Sequence, residues 1–199
     1  MRLIANIPIF LLLPALLLLG CATKVTRVRS DSTMDISGRW NDTDSRLVAE
    51  EMIKDCLSKP WLYPYTQQRI NPSVIVGKIT NRSHEHINTQ AFQKDIERAL
   101  LNSGKVDFVA GNQERKQIRE EKADQQEHAS AYTAKSQGEE TGAELMLIGT
   151  INTIVDQEGP KSVVFYQVDM ELIDLESNQK KWIGDKKIKK YVQRTGTTF

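Results

Sequence analysis

Hydrophobic residues recur with two periods along the chain from residue 44 onward. Val48, Met52 and Cys56, with Ile53 and Leu57 beside them, follow helical spacing, while Glu50, Glu51, Lys54 and Asp55 take the other faces. This predicts a helix beginning at Asp44. Pro60 and Pro64, around Trp61-Leu62-Tyr63, predict its end and a connecting loop. Val74–Ile79 is short and β-branched, as a strand is. Phe92, Ile96, Ala99 and Leu100 form the apolar stripe of a second helix, capped by Thr89 and ended by Gly104. Val106–Ala110 reads as a second strand.

Residues 112–141 are polar and rich in helix formers. They predict one long helix, or two with a joint near Glu127–Ser130. Its apolar face is thin (Ile118, Ala129, Tyr132), so the helix is mostly solvated. Leu145–Val155 is apolar on both faces, the pattern of a central strand. After the turn Gln157-Glu158-Gly159-Pro160, the residues Val164, Tyr166, Val168, Met170 and Leu172 alternate with Phe165, Gln167, Asp169 and Glu171, a half-buried strand. Another turn at Glu176–Gln179 leads into a last strand, Lys181–Val192. The order α-β-α-β-α-β-β-β predicts an α+β fold: a small, mostly antiparallel sheet flanked by helices. Tyr166 and Trp182 read as core. The lysines of the last strand and its approach, from Lys180 to Lys190, read as the shield of an edge strand against pairing with another chain.

The first 21 residues follow another rule. Arg2 opens a leucine-rich run, Leu11 to Leu19 broken by Pro14 and Ala15, and Gly20 stands before Cys21. This is the form of a bacterial lipoprotein signal. Cys21 is the candidate lipidation residue, with cleavage between Gly20 and Cys21. An uncleaved transmembrane helix fits less well, because Asn6, Pro8 and Pro14 interrupt a stretch at the short end of what spans a bilayer. Two or three acyl chains on one residue anchor a protein stably. Ala22, rather than Asp, follows the cysteine, and by enterobacterial sorting rules this favours the outer membrane, facing the periplasm. The predicted organisation is a signal at 1–20, a lipidated tether at 21–43, a globular domain at 44–193 and a tail at 194–199. Fully extended, the tether reaches about 70 Å at roughly 3.3 Å per residue. Within it, residues 35–42 are dense in turn formers and are expected to lie against the domain.

Charge excludes some functions. Without Arg2, the 27 basic side chains fall by one and match the 26 acidic ones. A balanced chain has no electrostatic reason to bind nucleic acid. Once Cys21 is acylated, Cys56 is the one remaining thiol, so no internal disulfide forms. At its position on the first helix Cys56 reads as a small core residue. His84-Glu85-His86 places two imidazoles in a polar loop, which is too few ligands for a closed metal site. Asp42 and Asp44 are read as helix-start residues rather than ligands. No phosphate loop and no nucleophile elbow is present. The chain reads as a non-enzyme with no cofactor and no metal.

The segments Thr141–Ile151 and Val164–Leu175, with Trp182-Ile183-Gly184 and Lys187–Lys190, resemble the LpoB family, outer-membrane lipoprotein activators of penicillin-binding proteins. Ser37-Gly38-Arg39-Trp40-Asn41-Asp42 also resembles that family. The resemblance implies a fold similar to the N-terminal domain of TolB and no catalytic residue. It implies a regulator that binds a bifunctional penicillin-binding protein, a peptidoglycan synthase, and shifts it toward its active state. The best-known members carry a long Pro-rich arm, whereas the arm here is short. The alternative is a lipoprotein subunit of an envelope secretion or assembly apparatus of the curli-secretion or TolB-like kind. The protein is read as a monomer. Arg39 and Trp40 are the candidate partner-binding residues, since arginine and aromatic side chains dominate interface hot spots. Against this, Trp40 has an intramolecular role open to it, covering the end of the first helix.

Overall fold

The computed structural model describes residues 24–138 and 140–194. Cys21 and the signal segment lie outside the described residues. The chain separates into two units at Ser32/Thr33. Of the first, residues 24–32 are described, and there Arg29 Nε donates to Asp31 at 2.9 Å. The second, residues 33–199, holds the fold.

Helix α1 (Asp42–Cys56) starts two residues before the expected position. The reason is a capping box. The Asn41 side chain accepts from the Asp44 N–H, and the Asp44 carboxylate accepts from the Asn41 N–H. Pro60–Leu62 forms a 3-10 turn and Tyr63–Gln68 a short helix, α2, where a loop was expected. Proline is tolerated in a first helical turn because its missing N–H would have no partner there. Arg69, in the left-handed region at φ 57°, ends α2.

Strand β1 (Ser73–Asn81) leads to α3 (Thr89–Asn102), whose cap is Asn88 rather than Thr89. Strand β2 is cut to Asp107–Phe108. After one more bond, from the Val109 N–H to the Val74 carbonyl, the chain turns away toward Gly111. Helix α4 (Asn112–His128) is single and none of its residues is buried. Past Ala129 the chain folds back without a further helix, tied by Arg119 to Glu140 and by Gln126 to the Lys135 carbonyl.

Strands β3 (Leu145–Glu158), β4 (Lys161–Asp174) and β5 (Lys180–Gln193) are each 14 residues long. The sheet order is β2-β1-β3-β4-β5. The long β3-β4 and β4-β5 ladders are antiparallel, whereas β1 runs parallel to both β2 and β3. Parallel neighbours need crossover connections, which α3 and α4 supply. The architecture is α+β, as the element order implied, with β5 on an edge.

One core joins α1, α3 and a single face of the sheet. Val48, Met52, Ile53, Phe92 and Ile96 meet Val74, Leu145, Leu147, Ile151, Tyr166, Val168 and Met170. Cys56 belongs to this core, and burial pushes its thiol up to about 12. The alternation in β4 decides which residues enter: the set from Val164 to Leu172 is buried, and the set from Phe165 to Ile173 is half-buried on the opposite face.

Candidate interaction site

Residues 33–41 cross the core-facing side of the sheet beside α1, and the two predicted partner-binding residues lie at the end of this strap. Arg39 is exposed. Trp40 is half-buried and packs edge-on against Phe92 and Tyr166, with ring centroids 5.7 and 5.6 Å away. Its indole N–H donates to Ser45 Oγ at 2.7 Å, and its backbone N–H donates to Glu85 Oε2 at 3.1 Å. Every one of these bonds is intramolecular. The ring therefore closes the rim of the core, while the Arg39 side chain faces solvent.

Two polar residues that the pattern alone did not single out hold this region. Glu85, from the loop after β1, accepts the Tyr166 hydroxyl at 2.7 Å through Oε1 while Oε2 takes the Trp40 N–H. Burial, and then the carboxylate beside it, push the Tyr166 phenol well above the usual range. Lys190, from β5, is the second. Its side chain is 8% exposed, and its ammonium lies 2.6 Å from Asp44, 2.8 Å from Asp35 and 3.0 Å from the Arg39 carbonyl. Burial alone would lower this pKa, but the bonds to Asp35 and Asp44 outweigh it and hold the group above ordinary lysine. The signal for Lys190 was present: a lysine in register with the core-facing set of an alternating strand must find carboxylates or lose its charge.

The other lysines of β5 divide by the same alternation. Lys186 pairs with Glu51 of α1. Lys187, on the opposite face, lies beside Asp185, and Lys180 reaches Glu171. Most of the basic run is thus neutralised within the domain. The face of the sheet away from the core carries two apolar pairs in register, Ile154 opposite Phe165 and Val163 opposite Tyr191, while Ile183 stands opposite the charged Glu171. Ile154, Ile183 and Tyr191 are exposed there. Such a surface suits a protein partner. A groove of about 460 Å³ also runs between α1 and α3, lined by Ile53, Leu57 and Ala99 together with Arg46, Lys54 and Arg98.

His84 sits at 3.2 Å from the Thr153 hydroxyl, and Glu85 is occupied as described. Among the described residues no group of three His, Cys, Asp or Glu could hold a metal ion, and no helix is long and apolar enough to cross a membrane.

The comparisons with known proteins carry this further. The sequence model of the family described as peptidoglycan-synthase activator LpoB matches residues 44–188. No match was found among curated protein sequences. Solved structures similar to the chain include the LpoB C-terminal domain from Escherichia coli, at 16% identity over 73% of this chain and 98% of that one, with a TM-score of 0.46. The corresponding domain from Salmonella enterica is 17% identical over 76% and 99% of the two chains, with a TM-score of 0.42. Lipoprotein GNA1162 from Neisseria meningitidis is 16% identical over 63% and 88%, with a TM-score of 0.41. With its match spanning α1 to the middle of β5, the chain belongs to the LpoB family of peptidoglycan-synthase activators.

Proposed function

We propose that this protein is a lipoprotein, acylated at Cys21 and held on the periplasmic face of the outer membrane, whose domain binds and activates a bifunctional penicillin-binding protein. The observation that carries the proposal is the family match over residues 44–188. A domain whose sheet exposes Ile154, Ile183 and Tyr191 among charged side chains is suited to act by contact. The mechanism is a population shift: the activator binds the active synthase more tightly than the resting one, and the difference in affinity sets the gain in rate.

Arg39 is the first residue to test at the contact, because its guanidinium is exposed at the rim of the domain. Trp40 acts by holding that rim in place. Purified full-length protein added to a bifunctional synthase should raise glycan polymerisation, and Arg39→Ala should reduce the effect while leaving the fold intact. Crosslinking in cells decides the partner. Capture of a penicillin-binding protein supports the proposal, and capture of secretion components in its place would overturn it. Cys21→Ser should abolish palmitate incorporation.

A further inference from the structure

The strap ahead of α1 is held in two unlike ways on either side of Gly38. Beyond it, Trp40 is packed on Phe92 and Tyr166 and bonded to Glu85 and Ser45. Before it, residues 33–37 bury little: Ile36 is 89% exposed and Met34 47%. What holds them is polar. Asp35 reaches Lys190 at 2.8 Å, and the Met34 carbonyl accepts from Asn41 Nδ2 at 3.4 Å. Tyr166 Oη lies 3.3 Å from the Gly38 carbonyl, with a shorter contact to Glu85.

Gly38 stands where only glycine fits. Its φ is +72°, a region that residues with a Cβ rarely adopt, and a Cβ there would stand 2.1 Å from Val192 Cγ2. The cluster on Lys190 is also built so that one partner can leave. Asp44 belongs to α1 and its side chain is 10% exposed, whereas that of Asp35 is 39% exposed. When Asp35 departs, Lys190 keeps Asp44, and Glu85 keeps both Tyr166 and Trp40. No buried charge is left unpaired, and so the large penalty that normally fixes a buried ion cluster is absent from this step.

We infer that residues 33–39 form a latch: Asp35 on Lys190 closes it, Gly38 is its hinge, Trp40 is its fixed end, and its opening adds the latched stretch to the tether. The stretch from Asp35 to Trp40 adds about 17 Å of extended chain at about 3.3 Å per residue. The consequence for reach rests on the Cys21 anchor proposed above, whereas the latch itself does not.

Hydrogen exchange on the full-length protein tests the latch directly. Asp35→Asn weakens the contact to Lys190, and Gly38→Ala forces a Cβ against Val192. The Gly38 N–H donates to Asp35 Oδ1 and the Arg39 N–H to Ser37 Oγ, both within the strap, so each variant should speed exchange at these two amides by roughly tenfold or more while the Trp40 amide, bonded to Glu85, keeps its protection. Unchanged rates at Gly38 and Arg39 in both variants would overturn the inference. So would a joint loss of protection at Trp40, since the strap would then be one unit with the core. Neither outcome depends on lipidation. If palmitate labelling of Cys21 failed while the exchange pattern held, the latch would stand and only its effect on membrane reach would fall.

Discussion

Glu85 and Tyr166, 81 positions apart, meet through a 2.7 Å hydrogen bond at the rim of the core. The same carboxylate takes the Trp40 N–H, so one side chain joins the loop after β1, the middle of β4 and the strap. Tyr166→Phe removes the hydroxyl and keeps the ring. Glu85 then loses its stronger partner in a part-buried place, and a cost of about 1–3 kcal/mol is expected in denaturant unfolding. Unfolding indistinguishable from wild type would mean that solvent already serves Glu85.

Lys190 makes stability fall at high pH. Its pKa is raised in the folded protein, so its contribution is complete below the ordinary lysine value of about 10.4 and is lost as pH climbs through the higher folded value. Lys190→Met lacks this titration. Plotted against pH from 9 upward, wild-type stability should drop more steeply than that of the variant, and parallel curves would contradict the assignment.

Cys56 is 1% exposed and its thiol is pushed up to about 12, mainly by burial. Native protein should therefore resist alkylation at pH 8, because the thiolate is scarce and covered. Modification should appear only as urea unfolds the domain. Rapid labelling of folded protein would show that α1 lifts from the sheet far more readily than its packing implies.

Trp182 lies over Gly184, two residues along the same face of β5, and donates its indole N–H to Asp55 Oδ2 at 2.9 Å. A Cβ on Gly184 would stand 2.2 Å from Trp182 Cζ2. Gly184→Ala should displace the indole from Asp55 and cost about 1–3 kcal/mol by overpacking. Near-ultraviolet circular dichroism reports the indole, and an unchanged spectrum would refute the contact.

Much of this architecture follows from local pattern. The alternation in β4 and the helical stripes of α1 and α3 are statements about which side chains must leave water, and burial follows them except at Ala99, which is half-buried. The family resemblance was equally legible, because it rests on contiguous residues of β3, β4 and β5 and on residues 37–42 just ahead of and opening α1. Tertiary structure alone decided the rest. That β1 would pair in parallel with β3, that β2 would shrink to two residues, and that residues 60–68 would coil into short helices depend on where distant segments meet. The same holds at the candidate site. Trp40 and Arg39 are adjacent in sequence, yet one faces Phe92 and the other solvent. Lys190 and Asp35 are a lysine in a basic run and an aspartate in a polar tether until folding brings them to 2.8 Å. Period and propensity are carried by neighbours in the chain, whereas a buried charge is fixed by partners that only the completed packing supplies.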